Sequence, residues 1–517
     1  MQQGKPRAEE VRRKRRPGFL GTVTIVTTAA AVAVSLASAG TGGASGARAL
    51  EQDPASQGPP PVAVSVAVDA RNPGPAVPAD YLGLSFEVSD LAQVASYGEH
   101  GDLVALLRSL GTGVLRFGGV SSDTQIAWAD ASTRQPRWAK RSLEAEDFAK
   151  LRSLAQRSGW KVLLTVGLAH FDPMAAAREV ASAKQALGPW LEGIEVGNEP
   201  DAYARHDLRA PGWDFARYNA EVVSYRRAIA ALTPGIPIAG PGVSGSRIYV
   251  QWGPQEAYAE HPLMLTGHHY PLGCHQVPAP SITRLLSAGI RSKEEESLDR
   301  YMAVSHRTGI PFRMDETGSV SCGGQPGISN AFASALWASN YIAQSMEAEV
   351  SGINLEGNPA NCEGYTPVCA PTPARLQEGA LQAQPVWYAL LLTKALVGDR
   401  PIRSATSGQG AANVSVSALE APEGGLRLLV AEDEPSDRGG VSLRLHVGSG
   451  FTSATVLSLR APSLKATGGV TLGGRAVSAT GEWSAPSRLP RVRVRRGVAT
   501  VRIPAASAAL ISLAPAR

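Results

Sequence analysis

The stretch LEGIEVGNEPD, Leu191–Asp201, carries a largely apolar run into an amide, a carboxylate and a proline. Such a run is typical of a strand that is buried on both faces. One interpretation of its end is a polar turn, because Asn and Pro are common turn residues. The other interpretation is that Glu199 is held at a strand end to transfer a proton. The position of this strand among its neighbours decides between the two.

Short apolar segments alternate with amphipathic helical patterns between residues 80 and 398. The helical patterns include LEAEDFAKLRSLAQRSG, residues 143–159, and WDFARYNAEVVSYRRAIAAL, residues 213–232. Eight strands interleaved with helices predict an α/β fold, a (β/α)8 TIM barrel. A doubly wound sheet is the alternative, but no glycine fingerprint follows an early strand. The predicted strands are Tyr81–Phe86, Gly113–Phe117, Lys161–Val166, Gly193–Val196, Ile236–Ala239, Leu263–Tyr270, Pro311–Asp315 and Val350–Leu355.

A second domain is predicted for residues 399–517, where the helical patterns end. Segments such as GLRLLVAED (425–433), VSLRLHV (441–447) and AALISLAP (508–515) are separated by Gly, Ser and Pro. This pattern is typical of a C-terminal β-sandwich domain. Residues 62–79 begin with the alternating segment VAVSVAVDA, and we expect this N-terminal strand to join the sandwich.

The N-terminal segment accounts for the basic pI. Residues 1–39 contain seven basic and two acidic residues, which is the whole of the chain's net charge of +5. Because the remainder is formally neutral, the charge gives no reason to expect nucleic acid as a partner. The segment begins with basic residues, continues as an apolar stretch and ends in the small residues Ala37-Ser38-Ala39. This order predicts a secretory signal peptide, with an uncleaved membrane anchor as the alternative. Residues 40–61 are predicted to be a flexible linker, and no later segment is apolar for long enough to span a membrane.

Four cysteines, Cys274, Cys322, Cys362 and Cys369, are compatible with disulfides in an exported protein. They allow three pairings, of which Cys362 with Cys369 is the simplest local link. Their spacing does not match a usual zinc pattern, so we predict no metal site and no cofactor.

Glu199 falls at the end of the fourth predicted strand, and Glu316 at the end of the seventh, in PFRMDETGS, residues 311–319. The functional groups of a TIM barrel lie where its strands end. Two carboxylates there can converge on one bond, as glycoside cleavage requires: a protonated acid for the leaving oxygen and an ionised carboxylate facing the anomeric carbon. A separation of about 5–5.5 Å would indicate a retaining, covalent mechanism. The pairing of the two positions favours the catalytic interpretation of Glu199.

The pair resembles that of the retaining clan of glycoside hydrolases with its acid/base on strand four and its nucleophile on strand seven. Within this clan the chain resembles glycoside hydrolase family 79, the β-glucuronidase and heparanase family. The resemblance extends from residue 62 to the end of the chain. The motifs that carry it are LRFGG (115–119) with Asp123, GHHYP (267–271), DETGS (315–319) and LSLRAPSLKATGGVTLGGRAVSATGEW (457–483).

The resemblance implies roles for four residues. Glu199 would be the acid/base and Glu316 the nucleophile. Glu199 then needs a raised pKa to stay protonated, whereas Glu316 must remain ionised. Asn198 would hydrogen-bond the sugar 2-hydroxyl, and Tyr270 would hold Glu316 in place through its hydroxyl.

Four further residues are candidates around this centre. Glu87, at the end of strand one, and Asp123 are candidate acceptors for sugar hydroxyls, with structural hydrogen bonding as an equal alternative. For Arg116 we favour a buried ion pair that steadies the carboxylates over direct substrate contact. Tyr365 lies in the long loop after strand eight and could donate to a uronate carboxylate. A disulfide in this loop would close one end of the cleft and favour exo cleavage.

Sequence and resemblance together predict a secreted, extracellular, cofactor-free retaining glycoside hydrolase, an exo-β-glucuronidase whose partner is a glucuronide or a uronate-containing glycan. One alternative is an endo-acting, heparanase-like enzyme on glycosaminoglycan-type chains. A β-xylosidase or arabinofuranosidase of the same clan is another. A catalytically inactive carbohydrate-binding protein is the last, and the presence of both carboxylates argues against it.

Overall fold

The structure is a computed structural model that describes residues 59–408, 410 and 412–516. The predicted signal peptide and residues 40–58 of the predicted linker lie outside the described residues. Eight parallel strands close into a barrel, in which the eighth strand pairs with the first. The predicted (β/α)8 barrel is therefore confirmed. The barrel strands, numbered one to eight, are Leu82–Glu87, Val114–Gly118, Lys161–Val166, Leu191–Val196, Ile238–Val243, Leu265–His269, Phe312–Thr317 and Gly352–Gly357.

The barrel strands form because both of their faces are buried, which suits continuous apolar runs. Strand seven is buried at every position, and strand three at every position after Lys161. Strand eight lies two residues further along the chain than predicted, since it begins at Gly352 and ends at Gly357. This shift brings Glu356 into the strand.

Helices cover the outside of the barrel. The helices Ala145–Ser158 and Phe215–Leu232 agree with the two helical patterns seen in the sequence. The first begins where Asp147 accepts a hydrogen bond from the Glu144 N–H at 3.0 Å, and it ends at Gly159 in a left-handed conformation. No described helix has the length and apolar character needed to cross a membrane. The other α-helices are Leu91–Ser96, Leu103–Leu110, Ser121–Thr124, Pro173–Leu187, Ser246–Glu260, Ile282–Leu285, Ala288–Thr308, Phe332–Glu347, Pro373–Glu378 and Pro385–Thr393.

The C-terminal domain is a mixed β-sheet domain with its own core. The strand Val62–Asp69 pairs antiparallel with Arg400–Ser407 and parallel with Val441–His446, so it joins this domain as predicted. Apolar side chains from both halves of the folded sheet share one buried cluster, as in a sandwich. The strands, in sheet order, are Thr471–Leu472, Phe451–Arg460, Ser507–Pro515, Leu426–Glu432, Val414–Glu420, Arg400–Ser407, Val62–Asp69, Val441–His446 and Val498–Ile503, and Arg491–Arg493 pairs with Phe451–Arg460.

The C-terminal domain supports the helix that follows barrel strand seven. The N-cap residue of this helix, Phe332–Glu347, is Ala331, whose side chain cannot accept hydrogen bonds from the free N–H groups of the first turn. The first two N–H groups of the helix donate instead to the carbonyl oxygens of Ala466 and Leu464, at 2.8 and 3.0 Å. Both carbonyls belong to the sequence motif at residues 457–483. The motif therefore has a structural role next to the barrel.

Candidate active site

Barrel strand four ends in a turn that fixes the backbone of Glu199. Gly197 follows the strand with a φ of 81°, and a Cβ there would lie 2.6 Å from a tyrosine hydroxyl. Glu199 also has a positive φ, of 46°, which is uncommon for a residue other than glycine. Its N–H donates to the Gly242 carbonyl at 2.9 Å, and Pro200 begins a 3-10 helix directly afterwards. The turn is strained and held by its neighbours, a feature that often marks functional sites.

Barrel strand seven carries two adjacent acidic residues that reach the same guanidinium. The register of its pairing with strand six shifts between Met314 and Glu316, which is a β-bulge. In a regular strand neighbouring side chains point to opposite faces, but a bulge re-aims one of them. Asp315 and Glu316 accordingly approach Arg116 at 3.2 and 2.7 Å.

The two candidate catalytic carboxylates lie close together. One oxygen of Glu199, one oxygen of Glu316 and a ring nitrogen of His268 all lie within 4.8 Å of one another. The carboxyl groups of retaining glycosidases are about 5–5.5 Å apart and those of inverting enzymes about 6.5–9.5 Å. The observed spacing therefore fits the retaining arrangement.

Arg116 lies at the centre of this group and is fully buried. Its guanidinium donates to Glu316 at 2.7 Å, to Glu195 at 3.0 Å and to the Asn198 side-chain oxygen at 2.8 Å. A buried cation of this kind is stable only while its hydrogen-bond partners are in place. The arrangement fits the predicted ion pair that steadies the carboxylates, and it leaves Arg116 without contact to the cavity.

His268 is fully buried, and its Nδ1 lies 2.9 Å from Oε1 of Glu199. Burial by itself would raise the pKa of Glu199, but the hydrogen bond and positive charge of His268 outweigh burial and lower this pKa. Burial opposes the charging of His268, yet the negative charges of Glu316 and Asp315 raise its pKa well above the usual value. The hydrogen bond therefore joins a carboxyl group whose pKa is lowered to an imidazole whose pKa is raised. The lowered pKa of Glu199 differs from the raised pKa that the sequence predicted. The reason is that Glu199 is hydrogen-bonded to His268, so the two side chains act as one acid.

Asn198 and Tyr270 both lie beside the candidate catalytic carboxylates and line the cavity. The side-chain oxygen of Asn198 accepts hydrogen bonds from Arg116 and from the backbone N–H of Gly119. Because this oxygen is occupied, the amide NH2 is left to donate to a sugar hydroxyl. The hydroxyl of Tyr270 donates to Oε1 of Glu316 at 2.9 Å, while Arg116 holds the other oxygen.

Glu87 lines the cavity in front of these groups. Its Oε2 accepts hydrogen bonds from the backbone N–H and from the hydroxyl of Ser121. No described residue donates to its Oε1, which is therefore free to accept a hydrogen bond from a sugar hydroxyl. This geometry supports the predicted binding role of Glu87.

Asp123 has a structural position instead. It is 1% exposed, and its Oδ1 accepts from the backbone N–H groups of Leu168 and Ala169. Its Oδ2 accepts from the Asn198 N–H and from the hydroxyl of Tyr203. With four protein donors, both oxygens are saturated. The structure thus favours the structural alternative for Asp123 over the predicted sugar contact, and it shows how Asp123 orders the backbone of Asn198.

The carboxylates open into a cavity of about 720 Å3. Two disulfides hold the loops around it: Cys274–Cys322 joins the loops after strands six and seven, and Cys362–Cys369 closes the loop after strand eight. The second is the local link that the sequence suggested as the simplest. Tyr365 lies inside this closed loop and lines the cavity.

Sequence reasoning missed Glu356, which also lines the cavity and is 4% exposed. Burial, together with the negative charges of Glu316 and Glu87, raises its pKa well above the usual value. A neutral carboxyl group can donate a hydrogen bond as well as accept one. The signal was present in the sequence, because Glu356 directly follows the end of the predicted strand eight, the same kind of position that identified Glu199.

Two groups of side chains among the described residues have atoms close enough to bind a metal ion. In the first, the sulfurs of Cys274 and Cys322 are bonded to each other and do not act as ligands. In the second, Glu199 and His268 are hydrogen-bonded to each other, and Glu316 is bound by an arginine and a tyrosine. These groups satisfy one another through hydrogen bonds, so we assign no metal to them.

The barrel, the strand-end carboxylates and the β domain together define the architecture of a class of glycoside hydrolases. Residues 428–510 match the family model described as the glycosyl hydrolase family 79 C-terminal beta domain. The resemblance to family 79 that the sequence predicted is therefore confirmed. No curated protein matches the chain.

Solved glycoside hydrolases share the fold over most of the chain. A 4-O-α-L-rhamnosyl-β-D-glucuronidase from Fusarium oxysporum 12S, solved as a Rha-GlcA complex, has a TM-score of 0.70 at 17% identity, covering 87% of this chain and 100% of that one. A GH51 arabinofuranosidase from Xanthomonas axonopodis pv. citri has a TM-score of 0.63 at 14% identity, with coverages of 87% and 100%. A family 51 α-L-arabinofuranosidase from Bifidobacterium longum has 0.61 at 15%, with coverages of 87% and 99%. At these identities the likeness shows a shared fold.

Proposed function

We propose that this protein is a secreted, retaining exo-β-glucuronidase that removes terminal glucuronic acid from a glycan or a smaller glucuronide. The observation that carries the proposal is the spacing within 4.8 Å of one Glu199 oxygen and one Glu316 oxygen, with both oxygens of Glu316 held. The family 79 match and the shared fold with a β-D-glucuronidase support the choice of sugar. The predicted signal peptide and the two disulfides support secretion.

The reaction would proceed by two displacements. In the first, an oxygen of Glu316 attacks the anomeric carbon while the Glu199–His268 pair gives a proton to the leaving oxygen, and the glycosidic bond breaks. In the second, Glu199 takes a proton from a water molecule whose oxygen attacks the anomeric carbon from the face that the leaving group vacated, and the bond between the sugar and Glu316 breaks, so the β configuration is retained. Arg116 and Tyr270 hold the nucleophile in one orientation, which lowers the entropic cost of attack.

The loop after strand seven offers a site for the uronate carboxylate. Cys322 and Gly323 line the cavity, and their backbone N–H groups have no acceptor among the described residues. Both have a positive φ, of 61° and 88°. Successive backbone N–H groups in turn conformations form concave anion sites. The hydroxyl of Tyr365, which lines the same cavity, would supply a further donor, and the loops held by the two disulfides favour a pocket for one terminal sugar.

A panel of aryl glycosides tests both the sugar and the mechanism. We expect hydrolysis of the β-glucuronide in preference to the β-glucoside, β-xyloside and α-L-arabinofuranoside, with the β anomer of glucuronic acid appearing first by NMR. Release of the α anomer first would contradict the retaining mechanism. Hydrolysis of neutral glycosides alone would contradict the choice of sugar.

Replacing Tyr365 by Phe tests recognition of the carboxylate. We expect kcat/KM for the β-glucuronide to fall about tenfold or more, because a hydrogen bond to a charged group contributes about 1.5–3 kcal/mol. The activity toward the matching β-glucoside serves as the internal control, since that substrate has no carboxylate, and it should change little. An equal loss on both substrates would show that Tyr365 acts on the site in general.

A neighbouring cavity, lined by four cationic and three acidic residues, favours the endo-acting, heparanase-like enzyme as a second candidate. This cavity, of about 500 Å3, adjoins the catalytic cavity and shares Arg205 and Tyr270 with it. It is also lined by Arg247 and Lys293, which have no acidic partner among the described residues. Such charges would suit an anionic unit beyond the cleaved bond. Depolymerisation of heparan sulfate or hyaluronan, with no hydrolysis of aryl glucuronides, would decide for this candidate.

A further inference from the structure

A second cavity lies outside the catalytic one, between the loops that follow barrel strands two and three. Its volume is about 140 Å3. One wall is aromatic, since Trp128 and Trp138 both line it and the ring of Trp138 stacks on His170 at 3.8 Å. A second wall is the first two turns of helix Pro173–Leu187, where Glu179 lies among small residues.

Glu179 is the unusual member of this cavity. The residue is 8% exposed, yet its carboxyl group has no hydrogen-bond or ion-pair partner among the described residues. Buried polar groups are normally hydrogen-bonded, and leaving one unpaired costs about 1–3 kcal/mol. Burial raises the pKa of Glu179 to about 8, so the group is mostly neutral at pH 7 and can both donate and accept. Hydroxyl groups of a ligand in the cavity could supply the hydrogen-bond partners that this carboxyl group lacks.

The walls define the chemistry of that ligand. A cavity of about 140 Å3 has room for at most one sugar unit, and the rings of two tryptophans provide flat apolar surfaces beside it. A purely apolar ring would leave the carboxyl group of Glu179 unpaired. A neutral sugar ring satisfies both walls, because its C–H faces pack on indole and its hydroxyls bond a carboxyl group. We infer that this cavity is a second, non-catalytic binding site for a single neutral sugar unit.

Asp123 separates this site from the catalytic cavity, since it lines both. Its side chain is saturated by four protein donors, two from the loop after strand three and two from the Asn198 turn. The partition is therefore part of the fold and does not depend on bound substrate. A sugar could occupy the second site while the catalytic site turns over, and the inference does not rest on the proposed function.

Titration of the protein with D-glucose, D-galactose, D-mannose, D-xylose, L-rhamnose and L-arabinose tests the site. Tryptophan fluorescence reports binding directly, because Trp128 and Trp138 line the cavity. We expect a saturable change with at least one sugar, with a Kd on the order of 1 mM. Trp138→Ala should weaken this binding about tenfold or more, as measured by calorimetry, while kcat/KM for the aryl glucuronide stays within about twofold of wild type.

Two further variants separate binding from folding. Glu179→Leu removes the hydrogen-bonding group without opening the helix, and it should abolish sugar binding, whereas Glu179→Gln, which still donates and accepts, should retain it. Trp190→Ala is the matched control, because Trp190 is also half-buried but lies outside this cavity. No saturable response to any of the six sugars, or equal binding by wild type, Trp138→Ala and Glu179→Leu, would overturn the inference.

Discussion

Replacing Glu316 by Gln is expected to remove nearly all turnover of a β-glucuronide while the protein stays folded. The amide cannot attack the anomeric carbon, so the covalent intermediate does not form, and kcat should fall on the order of 10⁴-fold or more. Folding should be spared because Gln has nearly the same volume, and its oxygen still accepts from Arg116. The measurement is kcat on an aryl β-glucuronide, with circular dichroism and thermal unfolding as the test of folding.

Glu378→Gln is the matched control, since Glu378 is an exposed carboxylate in a surface ion pair at 3.5 Å. Surface pairs of this kind contribute about 0–1 kcal/mol, so neither activity nor stability should change measurably. A Glu316→Gln protein that keeps activity within about tenfold of wild type would rule out covalent catalysis by this residue. The inactive carbohydrate-binding alternative would be favoured only if the wild type also lacked turnover on the whole panel.

Much of the fold was predictable because periodicity and burial are local properties. All eight barrel strands appear near their predicted positions, since parallel strands buried on both faces leave continuous apolar runs. The strands Arg400–Ser407 and Val414–Glu420 were missed because fewer than half of their positions are buried and many of their residues are polar, which weakens the pattern. The disulfide between Cys274 and Cys322 links residues 48 apart in sequence, and only the closed barrel brings their loops together.

The candidate site was predictable as far as strand-end positions go. Glu199 and Glu316 follow from that rule, and Tyr270 and Asn198 from the resemblance. The saturation of Asp123 could not be foreseen, because its four donors come from two separate turns that meet only in the folded chain. The lowered pKa of Glu199 could not be foreseen either, because it depends on His268, which belongs to barrel strand six.

Replacing Glu199 by Gln should make the rate depend steeply on the leaving group. The first step then lacks a proton donor, so a β-glucuronide with a poor leaving group should lose about 10²–10⁴-fold in kcat/KM. A dinitrophenyl glucuronide needs little protonation, and its first step should be nearly as fast as in wild type. Azide, which needs no general base, should accelerate the second step for the activated substrate and give the β-glucuronyl azide. A uniform loss on both substrates would instead indicate that Glu199 only shapes the site.

The pH dependence of the same two proteins identifies where the proton resides. In the wild type the Glu199–His268 pair keeps its proton until the pH rises through the raised pKa of His268, so activity should persist well above the usual histidine pKa of about 6.5 before it falls. In Glu199→Gln the pair no longer supplies that proton to the leaving oxygen, and kcat/KM for the poor leaving group should show no alkaline limb. An unchanged alkaline limb in the variant would place the titrating acid elsewhere. A limb near pH 4.5 in the wild type would mean that Glu199 titrates without His268. The hydrogen bond of 2.9 Å between these side chains couples the two groups, so the pH profile of the wild type should report apparent pKa values of the pair and not of Glu199 alone.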